Sequence, residues 1–520
     1  MLPDKGAEWP PRPYDRAQKE MFAWNAWHIG DVDALAAIYE EQNRPKVSVV
    51  GAVRAFWDRY FWGRPNQQHS RRLHVPAPAD VARTMGDLVF AQRPMFVVGE
   101  NDAIGDRKKT QDRLQKLLGE DDSTMSLTES AELGSVLGGS YLRWWWDKDI
   151  ADKVRLGSVA ADAAIPTFRY DTLVAVTFWK IVHDDDGVLY RHLERHEPGR
   201  IIHGLYQGDR SRLGRKLPLT EHPSTEWAAP LVDEEGAIPT GVRGLTATYV
   251  PNGAARRWRN EPGLSQLGRS DFEGLEPVFD ALDETYSAWM RDIELGKARL
   301  FVAEDMLQSG GTGGGLHWDS EQSIFTAMAP GMGSAASGGA PVQANQFAIR
   351  YLEYAHTVAE LLNVILRGTG LSSSSFADNS LAVGVQSQQT ATEVNSKDRL
   401  SERTRDRKIN AFKAKLRPFA RTGFELDAAI FGTGLGLREM PEVRFPVRAH
   451  QSPTEMSQTI STLYTSGVLS LEQAVRQQNP NWSSDDVNDE LDRIKKDEER
   501  KAQLGVVEQA PDPDEENHQF

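Results

Sequence analysis

The chain has no cysteine among its 520 residues. Disulfides, thiolate metal centres and cysteine nucleophiles are therefore excluded, and the absence fits assembly in a reducing compartment. No apolar run approaches the ~20 residues that a membrane-crossing helix needs. The opening Met1-Leu-Pro-Asp-Lys-Gly-Ala-Glu has no apolar secretory core. A soluble protein made in the cytoplasm is the expectation. Common catalytic motifs are also missing: there is no Gly-x-x-x-x-Gly-Lys-Ser/Thr, no His-Glu-x-x-His and no Gly-x-Ser-x-Gly. The glycine run at 310–315 is followed by Leu-His-Trp, with no lysine to reach a phosphate, so a nucleotide site is discarded.

What is present is a globular chain with fourteen Trp, a count that argues for packed cores. Its formal charge of −15 is unevenly placed. Residues 485–520 hold thirteen acidic and five basic side chains, whereas 397–421 hold ten basic and three acidic. An acidic protein does not wrap nucleic acid by bulk attraction. It can touch it locally, or let it slide. Each charge run also reads as a solvated helix face.

Short amphipathic helices are expected at 14–28 and 31–42, with an aromatic-dense helix at 49–62. Asp80 is placed to cap a helix through Val89, and further helices are expected at 107–118 and 123–137. Strand patterns then follow at 140–146, 164–169, 173–182, 188–197, 200–207 and 245–250. They are punctuated by Asp-Gly, Pro-Gly and Gly-Asp turns that favour hairpins. A mostly antiparallel α+β domain over 1–265 is the reading. Ser270-Asp271-Phe272-Glu273 fits a capping box for a helix to about 300, whose stripe includes Phe279, Leu282, Tyr286, Trp289 and Ile293. A Gly-rich excursion with a possible strand at 316–328 leads to a second helix at 347–367, ended by Gly368 or Gly370. A Ser-rich loop at 371–389 precedes a basic helix over 391–430, then a strand at 442–447. Short helices are expected at 456–466, from Ser470 to about 479, and over 489–503, before a disordered tail.

Chemical candidates inside this frame are weak. His183-Asp184-Asp185-Asp186-Gly187 suggests a cation site or, better, a hairpin turn. Arg191-His192-x-x-Arg195-His196 reads as an exposed strand face before it reads as a phosphate site. In Tyr141-Leu-Arg-Trp-Trp-Trp146 strand alternation favours core packing over base stacking. No cofactor is expected and no catalytic constellation emerges, which leaves a metal-dependent nuclease or hydrolase resting on the 184–186 acids alone.

Three stretches together resemble the portal proteins of tailed bacteriophages, particularly those infecting actinobacteria. They are Gly268-Arg-Ser-Asp-Phe-Glu-Gly-Leu-Glu-Pro continuing to Arg299, Gln389-Thr-Ala-Thr-Glu-Val-Asn-Ser-Lys397, and Ser466-Gly-Val-Leu-Ser-Leu-Glu-Gln-Ala-Val475 with Glu490-Leu-Asp-Arg-Ile494. The likeness covers about 240–505, and residues 1–240 fit by composition and element order. It implies a ring-forming fold with an α/β wing (1–265), stem helices (266–300 and 347–367), a small α/β clip (301–346), a tunnel loop (368–390), a long helix with a return to the wing (391–451), a helical crown (452–505) and a disordered tail (506–520).

The function implied is a channel of about twelve subunits at one capsid vertex, through which double-stranded DNA is packaged and ejected, with no catalysis of its own. The partners implied are further copies of the chain, the large terminase subunit, the head–tail adaptor, the major capsid protein and the scaffolding protein, with no membrane; another virion structural or adaptor protein is the alternative. The resemblance places Ser372, Ser373, Ser374, Ser375 and Asn379 in the loop facing DNA. Lys397, Arg399 and Arg403 would form a positive ring or pair with a neighbouring subunit. Gly310, Gly313, His317 and Trp318 fall in the docking clip. Localisation follows as the virion, after assembly in the host cytoplasm.

Overall fold

The computed structural model describes residues 2–43, 73–295, 299–302, 308–309, 316–317, 342–345, 350–372, 391–446, 453–479, 482 and 484–508. Its helices are α1 (Tyr14–Ile29), α2 (Val32–Asn43), α3 (Ala77–Phe90), α4 (Arg107–Leu118), α5 (Asp121–Leu137), the short α6 (Pro223–Glu226), α7 (Glu276–Leu295), α8 (Tyr351–Thr369), α9 (Ala391–Phe431), α10 (Pro453–Thr465), α11 (Leu471–Gln478) and α12 (Ser484–Glu508). The strands are β1 (Met95–Val97), β2 (Ala103–Ile104), β3 (Gly139–Trp145), β4 (Arg155–Ala160), β5 (Ala164–Arg169), β6 (Thr172–Asp185), β7 (Val188–Glu197), β8 (Arg200–Gly208), β9 (Arg215–Leu217), β10 (Ala237–Pro239), β11 (Ala247–Pro251), β12 (Arg299–Val302), β13 (Gln308–Ser309), β14 (Leu316–His317), β15 (Val342–Asn345), β16 (Gly436–Leu437) and β17 (Glu442–Arg444). This is the expected mixed α+β class. Two compact units form: residues 1–21, 83–270 and 391–520 in one, and 22–82 with 271–390 in the other. The grouping does not follow a 1–265 boundary.

The first unit is layered. An antiparallel sheet ordered β10-β8-β7-β6-β5, with β9 beside β8, packs on a second sheet ordered β11-β3-β4. Alternation along β3 decides what each side chain meets. Tyr141 and Arg143 face the larger sheet, where the Tyr141 ring lies 5.7 Å from Phe178 and Arg143 bonds Glu194 at 2.5 Å. Leu142 and Trp144 face the helices and are fully buried. Trp144 stacks on Phe419 of α9 at 5.0 Å, and its indole N–H donates to the Phe419 carbonyl at 3.0 Å. Gly423 lies one turn further on, and a Cβ there would sit inside the Trp144 ring. Such a pair adds roughly 0.5–1.5 kcal/mol beyond its area burial. The aromatic run is thus core.

The long helix α9 is tied to this core by polar anchors as well. The Arg113 guanidinium donates twice to Asp427, at 2.7 Å each, and the Val154 N–H adds a third bond at 3.2 Å. Arg405 is buried and donates to the carbonyls of Leu88 and Pro446, and buried Lys408 bonds the Asn252 side chain. Beyond α9 the chain returns: β16 pairs with β2 and β17 with β1. Helices α10, α11 and α12 follow, with Ser470 capping α11 by accepting from the Gln473 N–H at 3.3 Å.

The hairpin turns are as the dipeptides imply. Asp186 and Gly187 join β6 to β7 with φ of 48° and 89°, the two left-handed residues of a type I′ turn. The Gly187 N–H donates to Asp184 at 3.0 Å. This turn accounts for the acidic run that hinted at a cation site.

The expected exposed face over Arg191-His192-x-x-Arg195-His196 is overturned. Arg191, His192 and His196 are 2%, 3% and 0% exposed. Both faces of β7 are covered, one side packing Leu193 with Trp9 and Tyr206, the other meeting the β3 sheet. His192 stacks on His203 with ring centroids 5.3 Å apart and a 3.2 Å nitrogen–nitrogen hydrogen bond. His196 bonds Thr246 at 2.7 Å and Glu194 at 2.8 Å. A buried network of this kind is stable only because its members are mutually satisfied.

The second unit holds helices α7 and α8, and two helix starts differ from expectation. Ser270 does not cap a helix; its hydroxyl donates to the Val136 carbonyl at 2.5 Å within the first unit, and α7 begins at Glu276 with Pro277 in its first turn. The helix ends at Leu295, and 299–302 is strand. Likewise Asp80 lies inside the first turn of α3, which starts at Ala77, so it is no cap. Trp24 donates to Glu276 at 2.9 Å and the Trp27 ring lies 5.5 Å from Phe279. Asp283, 4% exposed, accepts from the Val75 N–H and bonds His74 at 2.9 Å. These contacts explain why residues 22–82 group with α7 and not with the β-rich unit.

Strand β4 was not evident in the sequence. Helix α12 reaches Glu508, into a segment expected to be disordered. The helix expected at 49–62 lies outside the described residues, as does most of the strand expected at 316–328.

Candidate functional site: a helix pair, a strand pair and a basic helix face

Helices α7 and α8 run antiparallel. Trp289, near the end of α7, stacks on Tyr354, near the start of α8, with centroids 5.9 Å apart and planes 7° from parallel. At the opposite end Gly368 of α8 meets Leu275, just before α7, so closely that a Cβ would clash. The Tyr354 hydroxyl donates to Asp292 at 2.9 Å and Arg350 does so at 3.1 Å. Those two bonds, the Tyr354 one first, hold the Asp292 carboxyl below its ordinary range. The helices of 20 and 19 residues each span about 30 Å. At the Trp289 end β12 pairs antiparallel with β15, from Arg299 opposite Asn345 to Val302 opposite Val342. Further along, β13 pairs with β14, which includes His317.

Met290, Ile293, Tyr351 and Leu352 are 40%, 38%, 41% and 56% exposed, all toward the strand-bearing end. Among the described residues the four form an exposed apolar cluster at that end of the helix pair.

Helix α8 ends at Gly370, whose φ of 78° forms a left-handed cap with its N–H on the Leu366 and Arg367 carbonyls. Leu371 and Ser372 are both buried. Ser372 is 6% exposed in the single chain. Ser373, Ser374, Ser375 and Asn379 lie outside the described residues, as do Gly310, Gly313 and Trp318.

Helix α9 then runs 41 residues, about 60 Å. Arg399 and Arg403 are exposed on it, and Lys397 lies in its first two turns. Arg407 continues the i, i+4 spacing and is exposed too; the sequence reading missed it although the spacing was the signal. Arg399, Arg403 and Arg407 have no ion-pair partner among the described residues. Like charges at i, i+4 repel by a few tenths of a kcal/mol, so the face suits an anionic complement. Arg405 and Lys408, in the same basic run, are buried instead.

Among the described residues no cluster of His, Asp and Glu suits a metal ion, and no helix is long and apolar enough to cross a membrane. Among curated proteins none matches the chain. The sequence model of the family described as "Phage portal protein, SPP1 Gp6-like" matches residues 57–504. That stretch takes in the antiparallel helix pair, the strand pair at its end and the long basic helix, and the chain belongs to the phage portal protein family.

Proposed function

We propose that about twelve copies of the chain close into a ring at one capsid vertex and that double-stranded DNA passes through its centre during packaging and ejection. The observation that carries this reading is the α7–α8 pair, with its exposed Met290, Ile293, Tyr351 and Leu352. In a ring these side chains pack on the neighbouring subunit. Each is already about half buried in the single chain, so covering the rest is worth roughly 0.5–1.5 kcal/mol apiece, and a closed ring repeats the gain at every interface.

The other parts take roles from their chemistry and order. Helices α7 and α8 act as the stem. The strands from β12 to β15 belong to the clip, at 301–346, where the large terminase subunit docks first and the head–tail adaptor later. Gly310, Gly313, His317 and Trp318 are the proposed docking residues. Residues 373–390 form the tunnel loop, with Ser373, Ser374, Ser375 and Asn379 making weak, sequence-blind contacts to DNA. The β-rich unit is the wing that meets the major capsid and scaffolding proteins, and α10 to α12 form the crown. Assembly takes place in the host cytoplasm, and the ring has no catalytic activity.

Electrostatics fits passage rather than retention. Twelve copies at −15 each place about −180 formal charges around one axis, which discourages stable binding of a polyanion. Arg399, Arg403 and Arg407, with Lys397, then supply a local positive girdle. The test is deletion of residues 373–386. Rings form as in the unaltered chain and DNA packaging stops; a variant that packages normally refutes the placement of the loop.

A further inference from the structure

A cleft of about 720 Å³ opens in the β-rich unit. It lies where the β5–β6 hairpin, β11, the 252–267 loop and the middle of α9 come together. Phe168, Leu173, Leu245, Tyr249, Leu267 and Phe419 give it an apolar floor. Arg259 and Lys415 stand in its wall, exposed and half-buried, and neither has a hydrogen-bond or ion-pair partner among the described residues. Asp171 is the one acidic residue of the lining, and it already accepts from Gln266 at 3.1 Å.

Two backbone features point to the shape of the occupant. The first is that β11 is the terminal strand of its sheet, with β3 on one side and, among the described residues, no strand on the other. A terminal strand presents unpaired N–H and C=O groups that accept an added extended chain. The second is Pro418, inside α9, which has no N–H to give the Ala414 carbonyl. Ala414 and Pro418 both line the cleft, so an acceptor unused by the helix ladder borders it. The edge of β5 is less open, since Pro166 lacks an N–H and its carbonyl already accepts from Tyr14 at 2.9 Å.

We propose that this cleft binds an extended peptide segment of another protein, one carrying carboxylates beside an aromatic or branched aliphatic side chain. The apolar floor takes the side chain, the terminal strand takes the backbone, and Arg259 and Lys415 take the carboxylates. Charge complementarity decides the sign: in a chain with 75 acidic and 60 basic residues, two unpaired cations over an apolar floor are suited to an acidic guest. A duplex is excluded by the same floor, because stacked and paired bases offer no apolar side chain to fill it. This reading stands on the β-rich unit alone and is independent of the channel.

The experiment measures fluorescence anisotropy of labelled Asp-Glu-Phe-Val-Asp-Glu with the purified full-length chain. Lys-Lys-Phe-Val-Lys-Lys and Asp-Glu-Gly-Ser-Asp-Glu serve as controls for charge and for the apolar side chains. The first peptide should bind at least tenfold more tightly than either control. The double variant Arg259→Glu/Lys415→Glu should weaken it at least tenfold, and so should Thr172→Trp, which fills the cleft from an exposed position. Thermal melting of both variants should match the parent. The proposal is overturned by equal binding of the three peptides, by undiminished binding to both variants, or by no binding to the parent chain. Binding to the isolated chain but not to the assembled ring also overturns it, since the cleft is then filled by a second copy.

Discussion

Acidification should loosen the β-rich unit through the histidine pair on β7 and β8. Burial, followed by the neighbouring His203, pushes His192 down to about 4, from an ordinary value of 6.5. Burial lowers His203 in the same way. Burial alone would raise the Glu194 carboxyl, but the Arg143 guanidinium and His196 more than offset it and hold Glu194 well below the usual range. All three shifts have one sign. The folded unit binds fewer protons than the unfolded chain as pH falls, so stability is present above pH 6.5 and is lost on the way down to pH 4. For His192 the loss at pH 4.5 is about 2.5 kcal/mol, from roughly 1.4 kcal/mol per pKa unit. Hydrogen exchange of peptides covering 188–208, corrected for intrinsic rates, reads this directly. Protection should fall roughly 50- to 100-fold between pH 7 and pH 4.5, and His192→Gln should remove most of that dependence. If His192→Gln loses protection as steeply as the parent, the buried pair is not the cause.

Three other outcomes follow from the packing and charge. Asp427→Ala leaves the Arg113 guanidinium without its buried partner, 1% exposed in the parent; it should cost about 3 kcal/mol and be seen as an early transition in chemical unfolding. Gly423→Ala pushes a methyl group into the Trp144 ring and should cost about 1–3 kcal/mol, read by the same unfolding curve, with Trp144 fluorescence displaced. The triple change Arg399→Ala, Arg403→Ala and Arg407→Ala should leave ring formation intact and slow DNA packaging in an in vitro packaging assay. Rings that fail to form would show that the stripe pairs with a neighbouring subunit instead.

The sequence was most legible where one period ran long and both ends carried a stop signal. Helix α4, strands β5 and β7, and α9 follow their patterns closely, and α9 ends against Gly432 as the glycine run implies. Helix starts were less legible. At both Ala77 and Glu276 a polar residue resembling a cap drew the boundary away from a first-turn proline, Pro78 or Pro277, which was the better mark. Strand β4 escaped because Arg-Leu-Gly-Ser-Val-Ala buries only Leu156 fully and so lacks a clear alternation. The polar signature of β7 misled for a different reason. Arg191, His192 and His196 look solvent-facing by type, but tertiary cover on both faces of the strand buries them and supplies hydrogen-bond partners to the two histidines, which no local pattern records.

Of the candidate site, the helix pair and the basic helix were readable from periodicity and spacing. The Trp289–Tyr354 stack and the apolar cluster at the strand-bearing end were not, because each needs two helices brought side by side from residues more than sixty positions apart.

The mass of the purified chain under native conditions tests the ring most directly. Twelve chains of 58.0 kDa give about 700 kDa, and native mass spectrometry should find that species or a ring within a subunit or so of it. Replacing Met290, Ile293 and Leu352 by Ser should shift the distribution toward single chains. A parent chain that remains at 58.0 kDa under every concentration and salt condition contradicts the account.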